Sequence, residues 1–165
     1  MTALIHKYAS IRSILILFLG VIIINIIFGT SFRSELKPLD LQFSYSKDTA
    51  YQLLGMFNEV ELQKYLWLEM TLDLIYPIVY TFFFSFSIYL LYHNKSMSLL
   101  PVGIAIFDIL ENIGIVMIIY NLPKQMEDLV LVTSFFTTVK WLFTIVVVGF
   151  ILFGLGKKIV DKVKS

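Results

Sequence analysis

The chain has 165 residues, of which 58% are hydrophobic and only 15% charged, with a formal net charge of +1. Soluble domains carry about 25% charged residues, and a chain of this size cannot hide so much apolar surface in a core while covering itself with so few charges, so the bilayer is the implied solvent. The absence of cysteine excludes disulfides, thiolate metal sites, iron–sulfur clusters and thiol redox chemistry, and the small net charge gives no overall attraction to nucleic acid.

Residues 13–32 form an uncharged run between Arg12 and Arg33, long enough for a first membrane span. Its basic start is like that of a secretory signal, and Gly29 and Ser31 are small, but the apolar run exceeds a usual signal core and no Ala-x-Ala site follows, so a retained span is expected. Residues 33–64 are the only substantial polar stretch and form an external segment. Within it Asp48 is placed to cap a short helix whose Ala50, Leu53, Leu54 and Phe57 share one face, lying in the membrane interface or packed on protein.

Asn58 and Glu61 form a capping-box pair, from which a single helix about 50 Å long is expected to run to Tyr92, kinked at Pro77, with residues 65–92 as the second span. The third span, residues 97–120, carries Asp108, Glu111 and Asn112 near its middle; the fourth, residues 129–155, carries Lys140. Each central carboxylate costs about 2.5–3.5 kcal/mol on insertion, whereas each Leu, Ile, Val or Phe returns about 0.3–0.6 kcal/mol. The third span is therefore marginal alone and has to turn its acidic face toward neighbours. The expected fold is all-α: one transmembrane domain, a four-helix bundle with a short interfacial helix in the first external loop.

Lys7, Arg12, Lys95, Lys157, Lys158, Lys162 and Lys164 fall on one side of these spans and Arg33, Lys37, Lys47, Lys64 and Lys124 on the other. The positive-inside rule then puts both termini in the cytoplasm of a multi-pass protein of the cell membrane.

Helical spacing gathers the polar residues. Glu69, Asp73, Tyr76 and Tyr80 are 4, 3 and 4 residues apart and share a stripe; Asp108, Glu111 and Asn112 share another; Thr133, Thr137, Lys140 and Thr144 form a third. Counting helical rise from the external ends puts the charged members within about one turn of a common depth. A single buried ligand site is expected from Glu69, Asp73, Tyr76, Tyr80, Asp108, Glu111, Asn112 and Lys140, with Asp108, Glu111 and Asp73 as catalytic candidates. Four carboxylates and one lysine cannot all be charged in a low dielectric, so protons or a bound cation must restore balance. The plainer alternative is packing glue, with Lys140 paired to Asp108 or Glu111 and the amide and hydroxyls bonding across helices. Asn25 is expected to make such an interhelical bond, and Lys140 can lie over the ring of Trp141.

His6 and His93 lie outside the spans, no His/Cys ligand spacing occurs, and no glycine-rich phosphate loop or Gly-x-Ser-x-Gly elbow is present, so neither cofactor nor metal is expected. Carboxylates alone leave calcium or magnesium open. The basic tail anchors the last helix.

The elements Tyr65-x-x-x-Glu69-x-x-x-Asp73-x-x-Tyr76-Pro77-x-x-Tyr80, Asp108-x-x-Glu111-Asn112 and Lys140-Trp141 resemble those of a group of uncharacterised four-span prokaryotic integral membrane proteins, over about residues 43–155. That resemblance implies no activity. The architecture is more loosely similar to the EXPERA superfamily, which includes sterol isomerases and the sigma-2 receptor and implies cytoplasmic termini and an acid-lined amphiphile site. Asp108, Glu111, Asn112 and Lys140 depart from that superfamily's pattern, so neither isomerase activity nor a sterol ligand carries over. The functions these residues leave open are binding of a small amphiphilic or cationic ligand or a lipid within the bundle; acid–base catalysis on a lipid-like substrate; a proton or cation pathway; and a non-catalytic subunit partnered by another membrane protein or a second copy.

Overall fold

The computed structural model describes residues 1–33 and 35–164; Ser34, in the external segment, and Ser165 lie outside the described residues. Seven α-helices follow one another: α1 (Thr2–Tyr8), α2 (Ile11–Ser31), α3 (Lys47–Leu54), α4 (Glu59–Met70), α5 (Leu72–Tyr92), α6 (Leu100–Tyr120) and α7 (Glu127–Val163), with short 3₁₀ turns at Leu39–Leu41 and Met97–Leu99. No strand occurs among the described residues. Helices α2, α5, α6 (with its leading turn from Met97) and α7 are each long and apolar enough to cross a membrane. The chain is an all-α, multi-pass membrane protein. Ser10 caps α2 by accepting from the Ser13 amide at 3.1 Å. Only Ile24 of α2 is fully buried by protein; Val21 and Phe28 turn toward the cavity, and exposed residues such as Ile16, Leu19 and Ile26 face lipid.

Three expectations need correction. The long helix from Asn58 is two helices, with a break at Thr71 (φ −126°, ψ −80°) ahead of Pro77. The Thr71 hydroxyl donates to the Trp67 carbonyl at 2.5 Å and its amide to Leu68, local bonds that compete with the regular ladder. Helix α5 runs unbroken through Pro77 because a neighbour supplies what proline removes. Pro77 has no N–H for the Asp73 carbonyl, and the Asn112 side-chain amide of α6 donates to that carbonyl at 2.8 Å. The second span is thus Leu72–Tyr92, and Tyr65 and Glu69 belong to α4, whose Asn58–Glu61 capping box is present as expected.

The short loop helix is capped by Ser46, which accepts from the Thr49 amide, and not by Asp48; Asp48 sits in the first turn, where its charge suits the helix's positive end. Its apolar face packs on protein: Ala50, Leu54 and Phe57 join Tyr65, Ile115, Ile118, Ile119 and Val130 in one buried cluster over the loop-side ends of α6 and α7. The helix that carries the fourth span does not stop at residue 155. No proline interrupts α7, and its 37 residues continue through the lysine-rich tail, about 55 Å at 1.5 Å per residue.

Two long-range ties fix the external segment along α7: the Tyr45 amide donates to Ser134 Oγ at 2.8 Å, and the Thr138 hydroxyl to the Phe43 carbonyl at 3.1 Å. At the end of α2, Arg33 grips Glu61 with two nitrogens at 2.7 and 3.0 Å. That guanidinium and the Asn58 amide hold the Glu61 carboxyl below its usual range.

The most extensive helix pairing is α6 against α7. A Cβ on Gly114 would overlap the Thr133 side chain, whereas one on Gly149 would meet nothing within 4 Å. Gly114→Ala is expected to cost about 1–3 kcal/mol by overpacking, and Gly149→Ala to be neutral or stabilising, read as melting temperatures in detergent. The Pro77–Asn112 arrangement gives a second expectation. Asn112→Ala costs about 1–3 kcal/mol in the wild type but clearly less in a Pro77→Ala background, where residue 77 can donate to the Asp73 carbonyl; a double-mutant cycle measures the difference.

Candidate functional site

The helices α2, α5, α6 and α7 and the external segment surround a cavity of about 450 Å³. That volume is in the range of small-molecule sites. Successive turns of α5 build one wall from Asp73 through Tyr76 and Tyr80 to Phe84; α6 adds Ile104 and Asp108; α7 adds Lys140, Trp141 and Thr144. Opposite them α2 presents Val21, Asn25, Phe28 and Phe32. On the loop side Asp40, Tyr65 and Glu69 close over the top.

Two polar groupings share this wall. The first is centred on Lys140. Its Nζ lies 3.0 Å from Asp108 Oδ1 and 2.5 Å from Glu111 Oε2, and donates to the Asp40 carbonyl at 3.3 Å. The Tyr80 hydroxyl donates to the other Asp108 oxygen at 2.8 Å, and the Thr137 hydroxyl to Glu111 Oε1 at 2.8 Å. Both Asp108 oxygens and Glu111 Oε1 accept hydrogen bonds, and Glu111 Oε2 is met by the Lys140 charge alone, so each carboxylate oxygen of the buried ion pair is compensated. Lys140 Nζ also sits 5.7 Å from the centre of the Trp141 ring. The Trp141 indole N–H is buried without a partner.

The second grouping is purely acidic. One oxygen each of Asp40, Glu69 and Asp73 lie within 4.8 Å of one another. Asp40 reaches it from the 3₁₀ turn at Leu39–Leu41, which Tyr65 braces by accepting from the Leu39 amide and donating to Asp40 Oδ1, at 2.8 and 2.9 Å. Burial pushes the Asp40 carboxyl above its ordinary range, with Lys140 and the Tyr65 hydroxyl pulling the other way. Glu69 is 2% exposed, and its Oε2 has no hydrogen-bond partner.

Of the residues read from the helical stripes, Glu69, Asp73, Tyr76, Tyr80, Asp108 and Lys140 line the cavity. Glu111 and Asn112 do not. Both are buried behind the wall, Glu111 under Lys140 and Thr137 and Asn112 on the Asp73 carbonyl, so each supports a lining residue. Asn25 makes its interhelical bond, to the Tyr76 hydroxyl at 2.8 Å, and also lines the cavity. The residue missed by helical spacing is Asp40. Its signal was a lone acid between Leu39 and Leu41 in an otherwise polar loop. No protein-family model, curated protein or solved structure matches the chain.

Removing Lys140 leaves two buried carboxylates without a cation. Lys140→Met is expected to destabilise the bundle by about 3–5 kcal/mol, and adding Glu111→Gln to recover part of the loss, both measured by thermal unfolding in detergent.

Proposed function

We propose that this protein binds a small amphiphilic or cationic ligand, or a lipid, inside its transmembrane bundle, with the ligand's polar head at the acidic end of the cavity and its apolar body against α2. The observation that carries this reading is the polarity of one continuous cavity: Asp40, Glu69 and Asp73 at the loop side, Val21, Phe28, Phe84 and Ile104 toward the other end. A site with an apolar body and a few convergent polar groups fits such a molecule and would be needlessly expensive as packing alone. The basic-residue asymmetry supports cytoplasmic termini in the cell membrane, which puts the acidic end in the outer half of the bilayer. The loose likeness to the EXPERA superfamily points to the same class of ligand.

Acid–base chemistry on a lipid-like substrate is the second reading. It is favoured by two carboxylates in unlike surroundings on one wall, Asp108 held by Lys140 and Tyr80 and Asp73 with no ion-pair partner among the described residues.

Native mass spectrometry of the gently solubilised protein tests both. A stoichiometric amphiphile is expected to co-purify, and to be lost when Val21→Trp fills the apolar end. Turnover of that molecule, abolished by Asp73→Asn without loss of binding, would move the assignment to an enzyme. A protein that carries no bound mass in mild detergent and takes up no added lipid or amphiphile would refute the binding reading.

A further inference from the structure

The acidic end of the cavity is more than a polar patch. We propose that Asp40, Glu69 and Asp73 form a binding site for one hard divalent cation of about calcium size.

The first argument is geometric. The three oxygens lie within 4.8 Å of one another. Carboxylate oxygens that share one hard cation at about 2.0–2.6 Å are never more than about 5.2 Å apart, so the three are close enough to hold one ion together. Calcium takes several carboxylates in a flexible geometry, whereas magnesium keeps most of its waters and takes one or two, so a set of three favours calcium.

The second argument is the state of Glu69. Its carboxyl lines the cavity, is 2% exposed, and keeps Oε2 buried without a hydrogen-bond partner. A buried acceptor left unmet is costly, and a cation bound by the Glu69 carboxylate offsets that cost.

The third argument is charge. Lys140 is engaged by Asp108 and Glu111, and Arg33 at the rim by Glu61. No ion pair among the described residues reaches the side chains of Asp40, Glu69 or Asp73. A divalent ion removes most of the repulsion among three adjacent carboxylates. Oxygen-only donors select calcium, magnesium or manganese over zinc or copper, and the remaining coordination positions can be filled from the cavity by water or by an oxygen of a ligand head.

The three ligands come from three elements: the Leu39–Leu41 turn, α4 and α5. The break at Thr71 lies between the last two. A bound ion therefore braces the joint between the external cap and the membrane span, and should stabilise the protein as any ligand specific to the native state does.

The test uses the full chain in detergent, stripped with a chelator, desalted, and titrated at neutral pH with calcium chloride, and in parallel with magnesium chloride, followed by calorimetry and thermal unfolding. The expected result is one calcium per chain with a Kd near or below about 0.1 mM, at least about tenfold weaker magnesium binding, and a melting temperature that rises with calcium. Asp40→Asn, Glu69→Gln and Asp73→Asn should each weaken calcium at least about tenfold while the stripped variants melt no lower than the stripped wild type, because each removes repulsion. Glu127→Gln, at an exposed acid paired with Lys47, should leave calcium binding unchanged. The proposal fails if the wild type binds no stoichiometric calcium, if magnesium displaces it, or if binding survives all three substitutions. Mass spectrometry of the stripped protein keeps the two assignments separate. An amphiphile retained without calcium binding defeats the cation site alone, and calcium binding by a protein that takes up no amphiphile defeats the ligand-binding reading alone.

Discussion

The bundle depends on one buried contact, the Lys140 ammonium between Asp108 and Glu111. Helix α6 carries two carboxylates in the middle of an apolar span and is a poor membrane segment by itself; α7 carries the cation that makes it a good one. Neither helix can slide by a turn without stranding a charge in hydrocarbon. The contact therefore sets their register, and the close approach of Gly114 to Thr133 and of Gly103 to Phe143 follows from it. Such a pair specifies an arrangement more than it adds stability, since the cost of stripping water from three charged groups offsets much of their attraction.

A second exchange of partners keeps α5 in place. Pro77 leaves the Asp73 carbonyl open, Asn112 closes it, and the turn of α5 bearing Asp73 is thereby fixed to α6. Above it, the loop is folded inward by Tyr65, whose hydroxyl both receives the Leu39 amide and holds Asp40. The acidic end of the cavity is thus assembled from a kept helix, a broken helix and a tied loop. Each depends on a side chain that lies outside the regular backbone ladder.

Much of this was legible in the sequence. The 3- and 4-residue spacing of acids, tyrosines and threonines places Asp73, Tyr76, Tyr80, Asp108 and Lys140 on facing stripes, because helical periodicity is a local property and survives folding. Asp40 was not legible, since a loop residue's position is decided by long-range bonds such as those of Tyr65, Tyr45 and Thr138. The helix break was misread for a related reason. Proline announces a defect in its own sequence, but Asn112, on another helix, repairs it, and Thr71 makes a defect that no strong breaker announces. Ser46 displaced Asp48 as the cap because either residue type can serve, and the choice turns on where the chain leaves its extended path.

The mooring of α2 gives the cavity one soft side. Within the membrane this helix packs against α5 by apolar contacts and the Asn25–Tyr76 hydrogen bond; Arg33 to Glu61 and Lys64 to the Ser31 carbonyl hold its loop end, and α1, packed on α5 with Ile5 buried, holds the other. Moving the middle of α2 outward means exchanging apolar contacts for lipid ones of nearly equal worth, because hydrocarbon exerts no hydrophobic pressure on a helix already facing it. The wall of the cavity that costs least to displace is therefore the middle of α2, between the ionic clasp at Arg33 and the turn into α1.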